Sequence, residues 1–137
     1  MFYIEHLMSA EQHINSLVEE AKQDFGASEA LGAAGYYAHS LFFGHLVLEK
    51  LCKALWMKHK KSKDYPFIHN LIKLIKETNV IVTNEQIQFY SDMNLFQAKG
   101  RYPETLQVIE QTITIEVYKK YNDQLKTEME WLIKQVQ

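Results

Sequence analysis

A helix-period apolar pattern runs almost the whole length of this chain, with few residues to interrupt it. Tyr3, Leu7, Ala10, Ile14, Leu17 and Ala21 recur at steps of three and four, which places them on one helical face. Tyr37, Leu41, Gly44, Leu48, Leu51 and Leu55 make a second stripe, and Tyr36, Phe43, Val47 and Ala54 a neighbouring one. A helix apolar on more than one side is a central helix with several neighbours. Only 2 Pro and 5 Gly occur in 137 residues, too few turn formers for a sandwich of many short strands. The expectation is an all-α fold: an antiparallel up-and-down bundle of four main helices plus one or two short helices, in a single domain over residues 1–137.

Local signals set the expected boundaries. The first helix starts near Tyr3, and Gly26 stops it. The second begins at Tyr36 and ends in Lys58-His59-Lys60-Lys61, where positive charge suits a helix C-terminus. Asp64-Tyr65-Pro66 reads as a loop, because the residue before Pro avoids the helical region. Ile68, Leu71, Ile72 and Ile75 then give a short third helix, and Val80-Ile81-Val82 an extended segment that plugs the core. Thr83 followed by Gln86 matches a capping box that opens a fourth helix, with Gly100 at its end. The chain restarts at Pro103, and the last helix is expected from about Thr112 onward through Tyr118, Tyr121, Leu125, Met129, Leu132 and Val136.

The charge balance narrows the function classes. Fifteen basic against seventeen acidic residues leave a formal charge of −2, not the footprint of a nonspecific DNA binder. Arg101 is the sole Arg beside 14 Lys, so any forked guanidinium contact from this chain falls to it. The single Cys52 allows no intrachain disulfide and fits a reducing compartment. The N-terminus lacks the charged and apolar regions of a signal peptide. No apolar run approaches the ~20 residues that span a bilayer. A cytoplasmic protein with no membrane association is expected.

The usual catalytic constellations are missing. A ferritin-like di-metal bundle needs two Glu-x-x-His pairs, and no Glu here has a His three residues on. His45 and Glu49 share a helical face but lack a third ligand at a telling spacing, so they read as a buried polar network. Cys52 lies inside an apolar helix and reads as core. The glycines have neither Walker nor dinucleotide spacing. No catalytic residue, metal or cofactor is expected.

Three features remain: Glu49-Lys50-Leu51-Cys52-Lys53-Ala54-Leu55, His69-Asn70-Leu71, and Arg101-Tyr102-Pro103. In this order, with Tyr36-Tyr37-Ala38-His39-Ser40 and Phe42 upstream, they resemble the HEPN domain family over roughly residues 5–135. The resemblance implies a helical bundle that commonly dimerises. Some members are metal-independent ribonucleases, often toxins paired with a small nucleotidyltransferase, and others are nucleotide-binding or accessory modules. The ribonuclease branch carries an Arg followed a few residues later by a His. That pairing clamps a phosphate and moves the proton of the attacking hydroxyl. Here all six His, at positions 6, 13, 39, 45, 59 and 69, precede Arg101, so the motif is absent.

The resemblance points to a non-catalytic module that binds a nucleotide or other phosphate-bearing ligand, as a homodimer. Lys53, His69, Arg101 and Tyr102 are the candidate ligand-binding residues, with Glu49 and Lys50 beside them. Each has a plainer reading. Arg101 can bond helix-end carbonyls or pair with Glu49, His69 can cap the third helix, and Lys50 and Lys53 can be solvated. The Lys58–Lys63 run can be a solvated helix end or a contact for RNA or an acidic partner. Two other functional readings stand beside the first. One is a ribonuclease toxin, or accessory subunit of a nucleotidyltransferase toxin–antitoxin pair, with an unconventional site. The other is a purely structural assembly partner.

Overall fold

The computed structural model describes residues 9–98 and 103–137. Two 24-residue helices form its frame: α1 over Ala10–Ala33 and α2 over Tyr37–Lys60. A capping box opens α1, in which Ser9 and Gln12 satisfy each other's backbone N–H groups. The helix therefore starts seven residues later than the stripe suggested, and Tyr3 and Leu7 lie outside the described residues. Gly26 does not stop α1; it sits in mid-helix. The stop is Gly35, whose φ of 89° is open to glycine but strained for side chains. There the Tyr36 N–H donates to the Leu31 carbonyl at 2.9 Å and the Gly35 N–H to the Gly32 carbonyl at 3.0 Å. These two bonds make a Schellman motif, and α2 returns directly along α1.

The remaining elements are α3 over Leu71–Lys76, α4 over Asn84–Met93, a 3-10 turn over Asn94–Ala98, α5 over Pro103–Thr112 and α6 over Ile115–Val136. Both halves of the Thr83–Gln86 capping box form at the start of α4. Val80 and Val82 pack against the core while Ile81 stays outside, so the extended segment does act as a plug. Three boundaries differ from expectation. The α-helical part of α4 ends at Met93 and passes into the 3-10 turn, and Gly100, expected at its end, lies outside the described residues. Asn70 caps α3, accepting from the Ile72 and Lys73 N–H groups, so Ile68 precedes the helix. Thr114 caps α6 by accepting from the Val117 N–H at 3.2 Å, while Thr112 closes α5. The start expected for the last helix belongs to the preceding one.

Helix α2 is central, touching α1, α3, α4, α5, α6 and the 3-10 turn. Leu41, Val47, Leu48, Leu51, Cys52, Ala54 and Leu55 are fully buried along it, as its several apolar sides require. The result is an all-α bundle. No helix among the described residues is long and apolar enough to cross a membrane.

Two buried polar knots hold the frame. The Ser28 and Ser40 hydroxyls donate to each other's backbone carbonyls at 2.7 and 2.6 Å. With both protons committed, the Tyr118 hydroxyl donates to Ser40 Oγ at 2.7 Å and fastens α6 to the hairpin. Tyr118 also stacks on Tyr37, with centroids 4.5 Å apart. In the second knot, buried Glu128 accepts from the Tyr90 hydroxyl at 2.7 Å and from Gln86 Nε2 at 2.9 Å. Burial pushes the Tyr90 phenol well above its ordinary value, and the Cys52 thiol up to about 12. A buried thiol held in its neutral form is a packing residue.

Candidate functional site

Helix α2 carries one polar ladder through its apolar length. His45, Glu49 and Lys53 follow at i, i+4 and i+8, which stacks them on a single face. All three are buried. Buried charges need partners, and the loop before α3 helps supply them. Glu49 divides its oxygens between two sides. Oε1 accepts from His69 Nδ1 at 2.8 Å, and Oε2 accepts from Lys53 Nζ at 3.1 Å. His45 donates through Nε2 to the His69 backbone carbonyl at 2.9 Å, which pins the loop from below.

The His69-Asn70-Leu71 turn thus divides three tasks among three residues. His69 orients its ring on Glu49, Asn70 caps α3, and Leu71 enters the core. Asn94 reinforces the turn, accepting from the Leu71 N–H at 3.0 Å and donating to Asn70 Oδ1 at 3.1 Å. His69 does not cap the helix. With Nδ1 donating to the carboxylate, its other ring nitrogen is the one turned away from Glu49, on a side chain 47% exposed.

On the Lys53 side lies a cleft of about 130 Å³ between α1, α2 and Tyr65. Glu49, Lys50 and Lys53 all line it, so the structure brings these three predicted residues together with His69 next to them. Lys50 reaches across to α1, with Nζ 2.7 Å from Asp24 Oδ2 and 3.8 Å from Glu20 Oε2. It is an inter-helix tie as well as a wall of the cleft, not a solvated lysine. Lys53 Nζ lies 5.1 Å from the centroid of the Tyr65 ring, within cation–π range. Arg101 and Tyr102 lie outside the described residues.

Sequence reading missed His13 and Tyr65. His13 sits on the apolar face of α1, one residue before Ile14, and its ring meets Tyr65 edge-on at 5.7 Å. Its Nδ1 is buried with no hydrogen-bond partner among the described residues. The available signal was a His inside an otherwise apolar stripe, facing a loop aromatic from across the bundle. Elsewhere, His39 Nδ1 donates to Glu110 at 2.8 Å, tying α2 to α5. Among the described residues no three of His, Cys, Asp and Glu are placed to hold one metal ion.

His45 gives the site a pH dependence. Burial, the largest influence, holds its imidazole below the ordinary value. Below about pH 6.5 the unfolded chain takes up a proton at this residue that the folded chain resists. His45 therefore contributes stability that is present above that pH and is lost as the pH falls through it. Urea unfolding at pH 7.5 and 5.5 is expected to show a lower midpoint at 5.5. His45→Gln keeps a donor for the His69 carbonyl and should shrink that difference. An undiminished difference would place the titration elsewhere.

The family model for the HEPN domain matches residues 14–136. Neither curated proteins nor solved structures give a match.

Proposed function

This chain belongs to the HEPN domain family, and from that premise we propose that it is a non-catalytic binding module for a nucleotide or other phosphate-bearing ligand, acting as a homodimer. One observation carries the reading. Lys53 is 8% exposed, yet its three-donor ammonium makes a single hydrogen bond among the described residues, to Glu49, and lines an open cleft. A buried cation with donors to spare is suited to a ligand oxygen. His69, turned on Glu49 with its other ring nitrogen directed away, supplies a second polar contact beside it. The sequence adds Arg101 as the one forked cation and Tyr102 as a stacking surface. The reading is non-catalytic because no His follows Arg101.

Calorimetry against a panel of nucleotides tests it. Modest, salt-sensitive binding is expected, weakened about tenfold or more by Lys53→Met, the scale of one lost charge-assisted hydrogen bond. Arg101→Lys should also weaken binding by removing the bidentate geometry. No heat from the wild-type protein at millimolar nucleotide would sink the proposal.

The homodimer would be built from apolar residues that the core leaves outside. Tyr118 is buried, and Tyr121 and Trp131 pack against the core, so they are not surplus apolar surface. Tyr36, Ile115 and Val117 are exposed instead, near the starts of α2 and α6 that the Tyr37–Tyr118 stack joins. Sedimentation at micromolar concentration should give twice the 16.1 kDa chain mass. The double change Ile115→Glu and Val117→Glu should halve it. A wild-type species at the single-chain mass would refute the dimer.

A further inference from the structure

The loop that carries His69 also carries Phe67, an aromatic ring that is 91% exposed. Exposure alone says little about a single apolar side chain; its position says more. From Asp64 to Asn70 the chain forms neither helix nor turn. Ile68 packs against the core, whereas Phe67 and His69 on either side of it are exposed. That alternation is the mark of extended backbone and sets Tyr65, Phe67 and His69 on one side of the loop. The Tyr65 and Phe67 ring centroids lie 5.9 Å apart, as neighbours in such a row should. Both ends of the row are fastened to one buried ion pair. Tyr65 has its ring centre 5.1 Å from Lys53 Nζ, and His69 Nδ1 bonds Glu49 at 2.8 Å. Glu49 and Lys53 are themselves 3.1 Å apart. Phe67, between the two anchors, is thus held beside the cleft that Lys53 and Tyr65 line.

The Tyr65 and Phe67 rings meet at 56°, so they do not cover each other's faces, and the exposed Phe67 ring offers a flat surface to a ligand. A nucleobase gains from such a surface without any particular hydrogen-bond pattern. The cleft, at about 130 Å³, is below the roughly 300–1,000 Å³ of pockets that enclose a whole drug-sized ligand. It takes one end of the ligand and leaves the other outside, where Phe67 stands. Lys53 Nζ and the Phe67 ring are linked by two steps, 5.1 Å to the Tyr65 centre and 5.9 Å onward, a span that one nucleotide bridges from phosphate to base. Resting on the nucleotide reading, we propose that Phe67 is the platform for the base of a free mononucleotide whose phosphate lies on Lys53. Charge favours the single nucleotide over a strand. Lys50 is taken up by Asp24 and Glu20, and Glu20 and Glu49 line the cleft, so a run of phosphates would meet carboxylates here.

The test compares adenosine 5′-monophosphate, D-ribose 5-phosphate and adenosine. Calorimetry gives affinities, and proton NMR follows the Phe67 ring in the wild-type chain, so no variant needs to fold for the main result. The monophosphate is expected to bind about tenfold more tightly than ribose phosphate, the scale of one stacked base, and to move the Phe67 ring protons upfield. Phe67→Leu should bring the monophosphate down to the affinity of ribose phosphate and leave the latter unchanged. Phe67→Trp should keep the preference for a base. Equal affinities of the two phosphates with Phe67 unmoved would overturn the platform and leave phosphate binding standing. A base preference that survives Phe67→Leu but is lost in Tyr102→Leu would also overturn it, by giving the stack to Tyr102. Adenosine moving Phe67 and binding as tightly as its monophosphate would support the platform and overturn the phosphate reading. No response to any of the three would overturn both. An oligoadenylate that moves Phe67 when the monophosphate does not would overturn the assignment to a free mononucleotide.

Discussion

Glu49→Ala is expected to destabilise the fold by about 3–5 kcal/mol, the usual cost of removing one member of a buried ion pair. Lys53 would lose the carboxylate it is hydrogen-bonded to, and His69 would lose the acceptor that orients it. The loop before α3 would be left to the His45 contact and to Asn94. Urea unfolding of the variant gives the number. The same physics predicts a contrasting result: Glu49→Leu combined with Lys53→Met should lose far less, because apolar replacement of a whole buried pair is often neutral. A Glu49→Ala loss under about 1 kcal/mol would mean that solvent reaches the pair freely.

Gly32→Val is expected to cost about 1–3 kcal/mol by overpacking. A Cβ at this position would run into the Tyr118 hydroxyl and the ring carbon that bears it. The ring would have to leave its stack on Tyr37 and its bond to Ser40. Tyr118→Phe removes the oxygen that meets the new side chain, so the double variant should lose less than the sum of the two single changes. Strict additivity in that cycle would show that Gly32 is not reserved for the Tyr118 ring.

The bundle was legible because its signal is periodic and redundant. Leu41, Leu48, Leu51 and Leu55 each repeat the same statement about α2, and all four are buried. Helix ends were harder, since single residues decide them. Thr83–Gln86 reads as a capping box, whereas the same spacing in Ser9–Gln12 is hidden inside an apolar stripe that begins upstream of it, at Tyr3. Gly26 and Gly35 look alike in sequence. Only the fold shows which one takes positive φ. At the site, Glu49, Lys50 and Lys53 were found because they are close in sequence. His13 and Tyr65 were not, because they lie 36 and 16 residues from Glu49 and meet it only through the packing of α1 and the loop on α2. The pairing of Lys50 with α1 was invisible for the same reason.

The tight Gly35 turn has a kinetic consequence. It joins two helices of equal length with three intervening residues, so their mutual contacts need only a short loop to close and little entropy is lost in closing it. Local contacts of this kind favour rapid folding. The hairpin of α1 and α2 should then form early. The Tyr118 bond to Ser40, spanning 78 residues, should tighten late, as α6 docks. Changes at Gly35 would slow the approach to the native state, whereas Tyr118→Phe would act mainly by hastening departure from it.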